Sequence, residues 1–255
     1  SLGQNFLIDK NVVKKIISLE KIKNQNIIEI GPGKGALTFE LLKLKPKTLT
    51  LIEKDSYLAE ELKKKIFIKK NISIYNEDIL NFNIENICKN KSIIFGNLPY
   101  NISSQILVKI LKFKKWPPYL SDVIFMFQKE LGDKIIGNFT SKHYGRLSIL
   151  TNFRLNILKN FLVSPNCFFP KPKVTSMVIH FKPKEKLLYK IKKIYNLEKV
   201  TKILFSNKRK MINKSIKKII DEDKIKKILN LNIKLRPSEL KPEIYYKITE
   251  LYERK

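Results

Sequence analysis

The stretch that decides the fold is Ile27-Ile28-Glu29-Ile30-Gly31-Pro32-Gly33-Lys34-Gly35-Ala36. Residues 27–30 are mostly apolar, which predicts a strand buried on both faces. The glycines that follow predict a tight turn into a helix. Because glycine has no Cβ, a ligand can closely approach the backbone N–H groups of such a turn and the N-terminus of the helix. The stretch therefore predicts a strand, a glycine-rich loop and a helix in succession.

The sequence repeats this alternation of apolar runs and amphipathic segments over its first two thirds. Further short apolar runs are residues 49–53, 72–75, 92–95 and 123–127. Amphipathic segments lie near 35–44, 55–65, 101–112 and 128–136, and Asp9 is positioned to cap an earlier helix with apolar residues at 12, 13, 16 and 17. This order predicts an α/β fold, a Rossmann-like, doubly wound, mostly parallel sheet with helices on both faces. Residues 147–153 and 174–181 are expected to close the sheet as an antiparallel hairpin.

The pattern changes after Phe181. Residues 184–255 contain no convincing strand, and periodic segments near 185–195, 197–206, 209–220, 222–230 and 238–253 predict short helices. Pro183 and the Lys-Pro-Lys-Glu-Lys stretch around it predict a linker. We therefore expect a first domain over 1–183 and a small all-helical domain over 184–255.

The net charge indicates a polyanionic partner. The 255 residues include 52 Lys+Arg and 23 Asp+Glu, a formal net charge of +29, and 43% are hydrophobic, enough for a real core. A nucleic acid, an anionic membrane or an acidic protein would suit that charge. Lysine makes up 47 of the 52 basic residues, however, so a compositional bias is the alternative explanation. Residues 184–255 carry 22 basic and 9 acidic residues, the denser part of the charge.

Several other classes of protein are disfavoured. The two cysteines, Cys88 and Cys167, have no metal-binding or disulfide-scaffold spacing, and no metal site is expected. His143 and His180 are isolated, so both are expected to be structural. No apolar run is long enough for a membrane span, and no signal peptide is visible. We expect a cytoplasmic protein that does not bind a membrane.

Two acidic positions at later strand ends bear on the ligand of the glycine loop. Glu53 ends the strand after the loop, where a carboxylate can accept hydrogen bonds from ribose hydroxyls. Asp78 follows the next strand and could accept from an adenine amino group while Ile79 packs on the ring. The loop itself, with Gly31 and Gly33, fits a dinucleotide or an S-adenosylmethionine site, or a turn without a ligand. A solvated strand end and a helix cap are the plain alternatives for Glu53 and Asp78.

The fourth apolar run leads into Asn97-Leu98-Pro99-Tyr100. The exocyclic amine of adenine is a poor nucleophile because its lone pair is delocalised into the ring. The Asn97 side-chain oxygen and the Leu98 carbonyl could accept its two hydrogens and free the lone pair. Pro99 stiffens the loop, and Tyr100 offers a face on which a flipped base can stack. The tetrapeptide thus predicts amine methylation, with an ordinary turn as the alternative.

These motifs together resemble the ribosomal RNA adenine dimethyltransferase family, and most closely its branch that dimethylates two adjacent adenines near the end of small-subunit rRNA. The resemblance runs through motifs over nearly the whole chain: residues 3–7, 29–35, Glu53, 76–80, 97–100, 127–130, 144–148, 168–176, 207–210 and 236–239. Lys171 and Thr175 depart from residues common in the family.

The resemblance implies a class I methyltransferase sheet that binds S-adenosylmethionine. It implies cofactor contacts from Asn5, Leu7, Gly31, Glu53, Asp78 and Asn97. It also implies that Phe168 closes over the target base opposite Tyr100, whereas spacing alone would make both Phe168 and Phe169 core residues.

The same resemblance implies the substrate and leaves alternatives. Small-subunit rRNA or an immature small subunit would be the partner, bound by a monomer in which Arg146 and the run Lys208-Arg209-Lys210 contact RNA. The alternatives are a resistance-type methyltransferase of large-subunit rRNA and a non-catalytic RNA-binding assembly factor on the same fold. An NAD-binding enzyme is the weakest alternative.

Overall fold

The computed structural model describes residues 5–66, 70–89, 91–228 and 231–254. Gly3 and Gln4 of the N-terminal motif, and the last two residues of the predicted helix 222–230, lie outside these ranges. In chain order the strands and helices are β1 (Phe6–Leu7), α1 (Lys10–Ile17), β2 (Asn26–Ile30), α2 (Ala36–Lys43), β3 (Thr48–Glu53), α3 (Ser56–Lys65), β4 (Ile72–Asn76), α4 (Ile84–Ile87), β5 (Ser92–Asn97), α5 (Ser103–Leu111), β6 (Leu120–Gln128), α6 (Lys129–Ile136), α7 (Arg146–Arg154), β7 (Leu155–Val163), β8 (Phe168–Phe169), β9 (Ser176–Pro183), α8 (Ile194–Leu204), α9 (Asn213–Ile216), α10 (Glu222–Lys226) and α11 (Pro242–Glu253).

The main sheet confirms the predicted α/β architecture. Its seven strands, among the residues described, follow the order β4-β3-β2-β5-β6-β9-β7. The pairs from β4 to β6 are parallel, and β9 is antiparallel to β6. The chain moves outward from β2 through β3 to β4 and then returns to β5 on the other side of β2. The carboxyl ends of β2 and β5 therefore form the switch point at which open α/β sheets bind ligands.

The central strands are buried because helices cover both faces of the sheet. Five of their apolar side chains are 0% exposed: Ile27, Leu49, Leu51, Ile94 and Phe95. Their near-continuous apolar runs are typical of parallel strands that are covered on both sides. The buried strands hold the residues at their carboxyl ends in fixed positions.

Helix α1 begins as predicted. Oδ1 of Asp9 accepts hydrogen bonds from the backbone N–H groups of Asn11 (2.8 Å) and Val12 (3.0 Å). The side chain thereby satisfies two of the donors that a helix start leaves free.

The prediction for residues 147–153 was wrong, because they form helix α7. Short apolar runs do not distinguish a strand from a helix by periodicity alone. At the start of the helix, the hydroxyl of Ser148 accepts from the N–H of Gly145 (3.1 Å) and closes the first turn. Six of its nine residues are buried, so α7 is covered around most of its surface. The predicted strand at 174–181 is confirmed by β9, whereas the edge strand β7, with most side chains partly or fully exposed, was missed.

The division into compact units differs from the predicted 1–183 and 184–255. The first unit comprises residues 1–132 and 156–183, and the second comprises 133–155 and 184–255. The boundary at 183/184 is the same, but α7 belongs with the C-terminal helices. The hydroxyl of Tyr246 donates to the carbonyl of Ile149 (3.0 Å), and that of Tyr144 donates to the carbonyl of Leu240 (2.9 Å). These bonds join α7 and the residues before it to α11.

The predicted helix over 185–195 was also wrong, since α8 begins only at Ile194. Carboxylates of α11 hold the preceding backbone instead. Glu250 accepts from the N–H of Lys190 (2.7 Å), and Glu253 accepts from those of Lys192 (2.6 Å) and Lys193 (3.0 Å). Backbone N–H groups that are bound to side chains are not available for a helical ladder.

Two further observations concern the described part of the chain. None of its helices combines the length and apolar character that crossing a membrane requires. Cys88 and Cys167 are both free thiols.

Candidate active site

A pocket of about 430 Å³ opens at the carboxyl ends of β2, β3, β4 and β5, entirely within the first unit. We call it the strand-end pocket. Its size falls in the range of small-molecule sites. Eleven of the predicted site residues line it: Asn5, Leu7, Gly31, Gly33, Glu53, Asp78, Ile79, Asn97, Leu98, Pro99 and Tyr100.

The glycine loop after β2 forms one wall of the pocket, and its backbone conformation requires glycine at two positions. Gly31 and Gly33 have φ angles of 66° and 56°, in the left-handed region that favours glycine. A Cβ on Gly33 would lie 3.1 Å from the ring of Phe6, so a side chain there would press into the neighbouring wall. The loop thus keeps its backbone open to a ligand.

Glu53 connects the end of β3 to this loop. Its Oε2 accepts from the N–H of Gly33 (3.0 Å) and its Oε1 from the N–H of Asp55 (3.0 Å). Burial raises the pKa of Glu53, while these two N–H groups act in the opposite direction. Each carboxylate oxygen can accept a second hydrogen bond, so the side chain can still take ligand hydroxyls.

Asp78 both stabilises a turn and lines the pocket. Its Oδ1 accepts from the N–H of Leu80 (2.9 Å), and its Oδ2 lies 2.9 Å from Nζ of Lys54. The hydrogen bond from Lys54 lowers the pKa of Asp78, so the carboxylate is charged at neutral pH. Beside it, Ile79 is 6% exposed and presents an apolar surface to the pocket.

Glu29 also lines the pocket; it begins the motif over 29–35 but was not among the predicted site residues. It lies inside the apolar strand β2, is 2% exposed, and its Oε2 accepts from the hydroxyl of Thr38 (2.6 Å). Burial raises the pKa of Glu29 to about 7. A charged residue within an otherwise apolar strand was the available signal.

The Asn97-Leu98-Pro99-Tyr100 segment forms the opposite wall. Nδ2 of Asn97 is 3.5 Å from the carbonyl oxygen of Asn5, so the amide oxygen of Asn97 points away from that neighbour. Leu98 is 2% exposed and anchors the loop in the core. The phenol of Tyr100 is 2.8 Å from the hydroxyl of Ser176, and burial raises the pKa of Tyr100.

Phe168 is not among the residues that line this pocket, and its predicted closure over the target base stays a prediction. Its ring is 3% exposed and belongs to the core that contains Leu7, whereas Phe169 is 64% exposed. The reason is the antiparallel pair of β1 and β8, in which Phe168 lies opposite Leu7 and Phe169 opposite Phe6. Successive strand residues face opposite sides, so only one of the two rings can be buried.

The four predicted RNA contacts lie in the second unit. Lys208, Arg209 and Lys210 are exposed, and Arg146, the first residue of α7, is half-buried. Their role in RNA binding stays a prediction.

His180 is explained by an acidic neighbour. Its Nε2 lies 2.8 Å from Oδ1 of Asp122 and 3.6 Å from Oε1 of Glu20, and among the described residues this trio alone has metal-compatible spacing. The imidazole and Asp122 are both nearly fully buried, and Nε2 of His180 pairs with Asp122 while Nδ1 has no hydrogen-bond partner among the described residues. Asp122 lies near the beginning of β6, away from the carboxyl ends that form the pocket.

The pocket residues fit an adenosine-bearing cofactor. A buried carboxylate, a charged carboxylate beside an apolar side chain and a glycine loop that no Cβ obstructs are the groups that a ribose, an adenine and a polar tail require. A model of the family described as ribosomal RNA adenine dimethylase matches residues 1–254. The chain belongs to this family.

The curated relatives share most of their length with this chain. A ribosomal RNA small subunit methyltransferase A from Pelagibacter ubique is 44% identical over 99% of this chain and 96% of its own. A protein of the same description from Mycoplasma mobile is 38% identical over 96% and 94%. Membership of the family confirms two predictions for this chain: its activity is rRNA adenine methylation, and its methyl donor is S-adenosylmethionine.

Solved structures show the same fold. A dimethyladenosine transferase from Plasmodium falciparum superposes with a TM-score of 0.75 at 24% identity, covering 95% of each chain. The 23S rRNA methyltransferase ErmE superposes with a TM-score of 0.72 at 22% identity, covering 98% of this dimethylase and 100% of ErmE. The class I methyltransferase sheet with a helical C-terminal region is confirmed.

Proposed function

We propose that this enzyme dimethylates the N6 amines of two adjacent adenines in the 3′-terminal hairpin loop of small-subunit rRNA during ribosome assembly. The observation that carries the proposal is that Asn97 and Tyr100 share one pocket with Glu53 and Asp78. The names of the two relatives favour the small subunit as the source of the RNA.

The cofactor side of the pocket has four kinds of contact. Glu53 accepts the ribose hydroxyls, and Asp78 accepts from the adenine amine while Ile79 covers the ring. The backbone at Gly31 and Gly33 surrounds the amino-acid part of the cofactor, next to Asn5 and Leu7. The fit rests on the burial of Glu53 and the ionisation of Asp78. When bound, S-adenosylmethionine would supply an electrophilic methyl group, with S-adenosylhomocysteine as the product and one N6 proton released to solvent for each methyl transferred.

Asn97 and Leu98 act on the target amine. In the first transfer, the side-chain oxygen of Asn97, which also borders the cofactor, and the backbone carbonyl of Leu98 accept the two amine hydrogens; in the second transfer, one hydrogen remains for one of these acceptors. This pairing favours a pyramidal nitrogen, whose lone pair is then available. Pro99 keeps the two acceptors in place, so most of the rate comes from positioning and from preorganised dipoles.

Tyr100 holds the flipped base. Its ring borders the pocket, and base–aromatic stacking contributes about 1–3 kcal/mol per base. Stacking uses only the flat face of a base, so the same ring can receive the two adjacent adenines one after the other.

The second unit docks the rRNA. Its exposed run Lys208-Arg209-Lys210 and Arg146 at the start of α7 are the proposed contacts with RNA. We propose that residues 184–255, together with 133–155, form this basic rRNA-binding domain. The enzyme acts as a monomer on an immature small subunit in the cytoplasm, where ribosomes assemble, or in an organelle with its own ribosomes.

The test is methyl transfer from labelled S-adenosylmethionine to immature small subunits and, in parallel, to large-subunit rRNA. The modified nucleotides are mapped in both. We expect dimethyladenosine at two adjacent positions of the small-subunit rRNA and none in the large-subunit rRNA. Modification of large-subunit rRNA alone would identify a resistance-type enzyme instead, and binding without any transfer would identify an assembly factor.

A further inference from the structure

The phenol of Tyr100 has a hydrogen-bond partner at the buried end of the pocket wall. Its oxygen lies 2.8 Å from the hydroxyl of Ser176, the first residue of β9. Ser176 is 0% exposed, whereas Tyr100 is half-buried and borders the strand-end pocket. The bond therefore joins a fully enclosed side chain to the ring that is proposed to face the substrate.

The backbone of Tyr100 is fixed separately from its ring. The hydroxyl of Ser103 donates to the carbonyl of Tyr100 (3.1 Å), and the N–H of Ile102 donates to the carbonyl of Pro99 (3.2 Å). These two bonds set where the side chain begins, but the ring can still rotate about its own side-chain bonds. The phenol oxygen lies on the long axis of the ring, so a contact there fixes the direction in which the ring extends from the backbone.

Ser176 is well placed to supply that contact, because the sheet holds it. It pairs with Gln128 in the ladder between β6 and β9, and the N–H of Lys129 donates to the carbonyl of Thr175 (2.9 Å). On its other side, β6 pairs with β5 at Met126 and Asn97. Ser176 and Asn97 therefore belong to one rigid lattice of backbone hydrogen bonds.

We propose that Ser176 is a positioning residue, whose hydroxyl holds the Tyr100 ring in the orientation that presents the target adenine to Asn97. The proposal rests on the proposed role of Tyr100 in stacking. Stacking uses the face of the ring and needs no hydroxyl. Removing either hydroxyl should therefore leave a stacking surface but release its orientation.

The first arm of the test is a double-mutant cycle. Ser176→Ala and Tyr100→Phe should each lower kcat by about 3- to 10-fold, the range expected for one hydrogen bond, and leave the KM for RNA unchanged. The double variant should lose no more than either single variant, because both remove the same bond. Ser176→Thr keeps a hydroxyl and should recover most of the lost kcat.

The control is Ser121→Ala. It deletes a serine hydroxyl from β6 that donates to the carbonyl of Lys91 (3.1 Å), away from the pocket. This variant should keep the parent kcat. Multiplicative losses in the double variant, or an unchanged kcat in Ser176→Ala beside a reduced one in Tyr100→Phe, would overturn the positioning role.

The second arm needs no substrate. With ¹³C-labelled tyrosine, the ring signal of Tyr100 is assigned by its loss in Tyr100→Phe and is then followed by NMR in the free enzyme. We expect that signal to shift and broaden in Ser176→Ala and to stay unchanged in Ser121→Ala. An unchanged signal in Ser176→Ala overturns the proposal even if the enzyme methylates as expected, whereas an inactive parent chain overturns only the proposed function.

Discussion

The backbone N–H of Gly33 donates a 3.0 Å hydrogen bond to Oε2 of Glu53, 20 positions further along the chain. The bond joins the glycine loop after β2 to the end of the neighbouring strand β3. The same carboxylate thus orders the loop and lines the pocket, and we propose that it also binds the cofactor there.

Replacing Glu53 should weaken cofactor binding. In Glu53→Gln we expect the Kd of S-adenosylmethionine, measured by calorimetry, to rise about 10- to 100-fold, because hydrogen bonds to a charged group are lost. RNA affinity should not change. Glu60→Gln, an exposed position on α3, is the matched control. A Kd within twofold of the parent would remove Glu53 from the cofactor site.

Glu29 should make the stability of the protein depend on pH. Burial raises its pKa from 4.5 to about 7, so the folded state binds the proton more tightly than the unfolded state. As the pH rises from 4.5 to 7, the unfolded state loses its proton first and the free energy of unfolding falls, by roughly 3 kcal/mol for this group. Above pH 7 its contribution is constant.

Glu29→Gln should remove that dependence. In urea unfolding at pH 5, 6, 7 and 8, the free energy of unfolding should fall less with rising pH for Glu29→Gln than for the parent chain. Glu60→Gln should behave as the parent does. If Glu29→Gln and the parent decline in parallel, Glu29 is ionised in the folded protein throughout this range.

The two neighbouring phenylalanines should differ in their effect on stability. Phe168→Ala should lower the free energy of unfolding by about 3–5 kcal/mol, since it empties a space in the core. Phe169→Ala should change it by no more than about 0.5 kcal/mol, because its ring is exposed. Denaturant unfolding of both variants provides the comparison. The reverse ranking would show that the pairing of β1 with β8 is shifted by one residue.

The basic run should carry part of the salt dependence of RNA binding. Replacing Lys208, Arg209 and Lys210 together by alanine should weaken binding and reduce the slope of log K against log salt by about 2 to 3. The matched control replaces Lys63, Lys64 and Lys65 by alanine. It removes the same amount of charge from α3, where these lysines pair with glutamates. An equal change of slope in both triple variants would mean that only net charge matters.

The sheet and the pocket residues could be predicted because their signals are local. Apolar runs that end in Gly31, Glu53, Asp78 and Asn97 give the strand ends directly, and the parallel order brings those ends together. Helix α7 could not be predicted, because its apolar pattern fits a strand equally well until α11 packs on it.

Contacts between distant segments account for the other differences. The backbone of residues 190–193 is bound by Glu250 and Glu253, some 60 positions away, which no local pattern indicates. The bond between Tyr100 and Ser176 spans 76 positions, and which of Phe168 and Phe169 is buried depends on register with β1. Sequence periodicity carries no information on such pairings.

The most direct measurement of the central claim is mass spectrometry of the nucleosides that the parent chain and Asn97→Ala produce in small-subunit rRNA. Asn71→Ala, which removes an amide that donates to the carbonyl of Lys47, is the control. We predict two N6,N6-dimethyladenosines per RNA with the parent and the control. We predict a rate at least about 100-fold lower with Asn97→Ala, the loss typical of one oriented catalytic dipole. Full dimethylation by Asn97→Ala, or a methyl group on any atom other than adenine N6, would contradict the account.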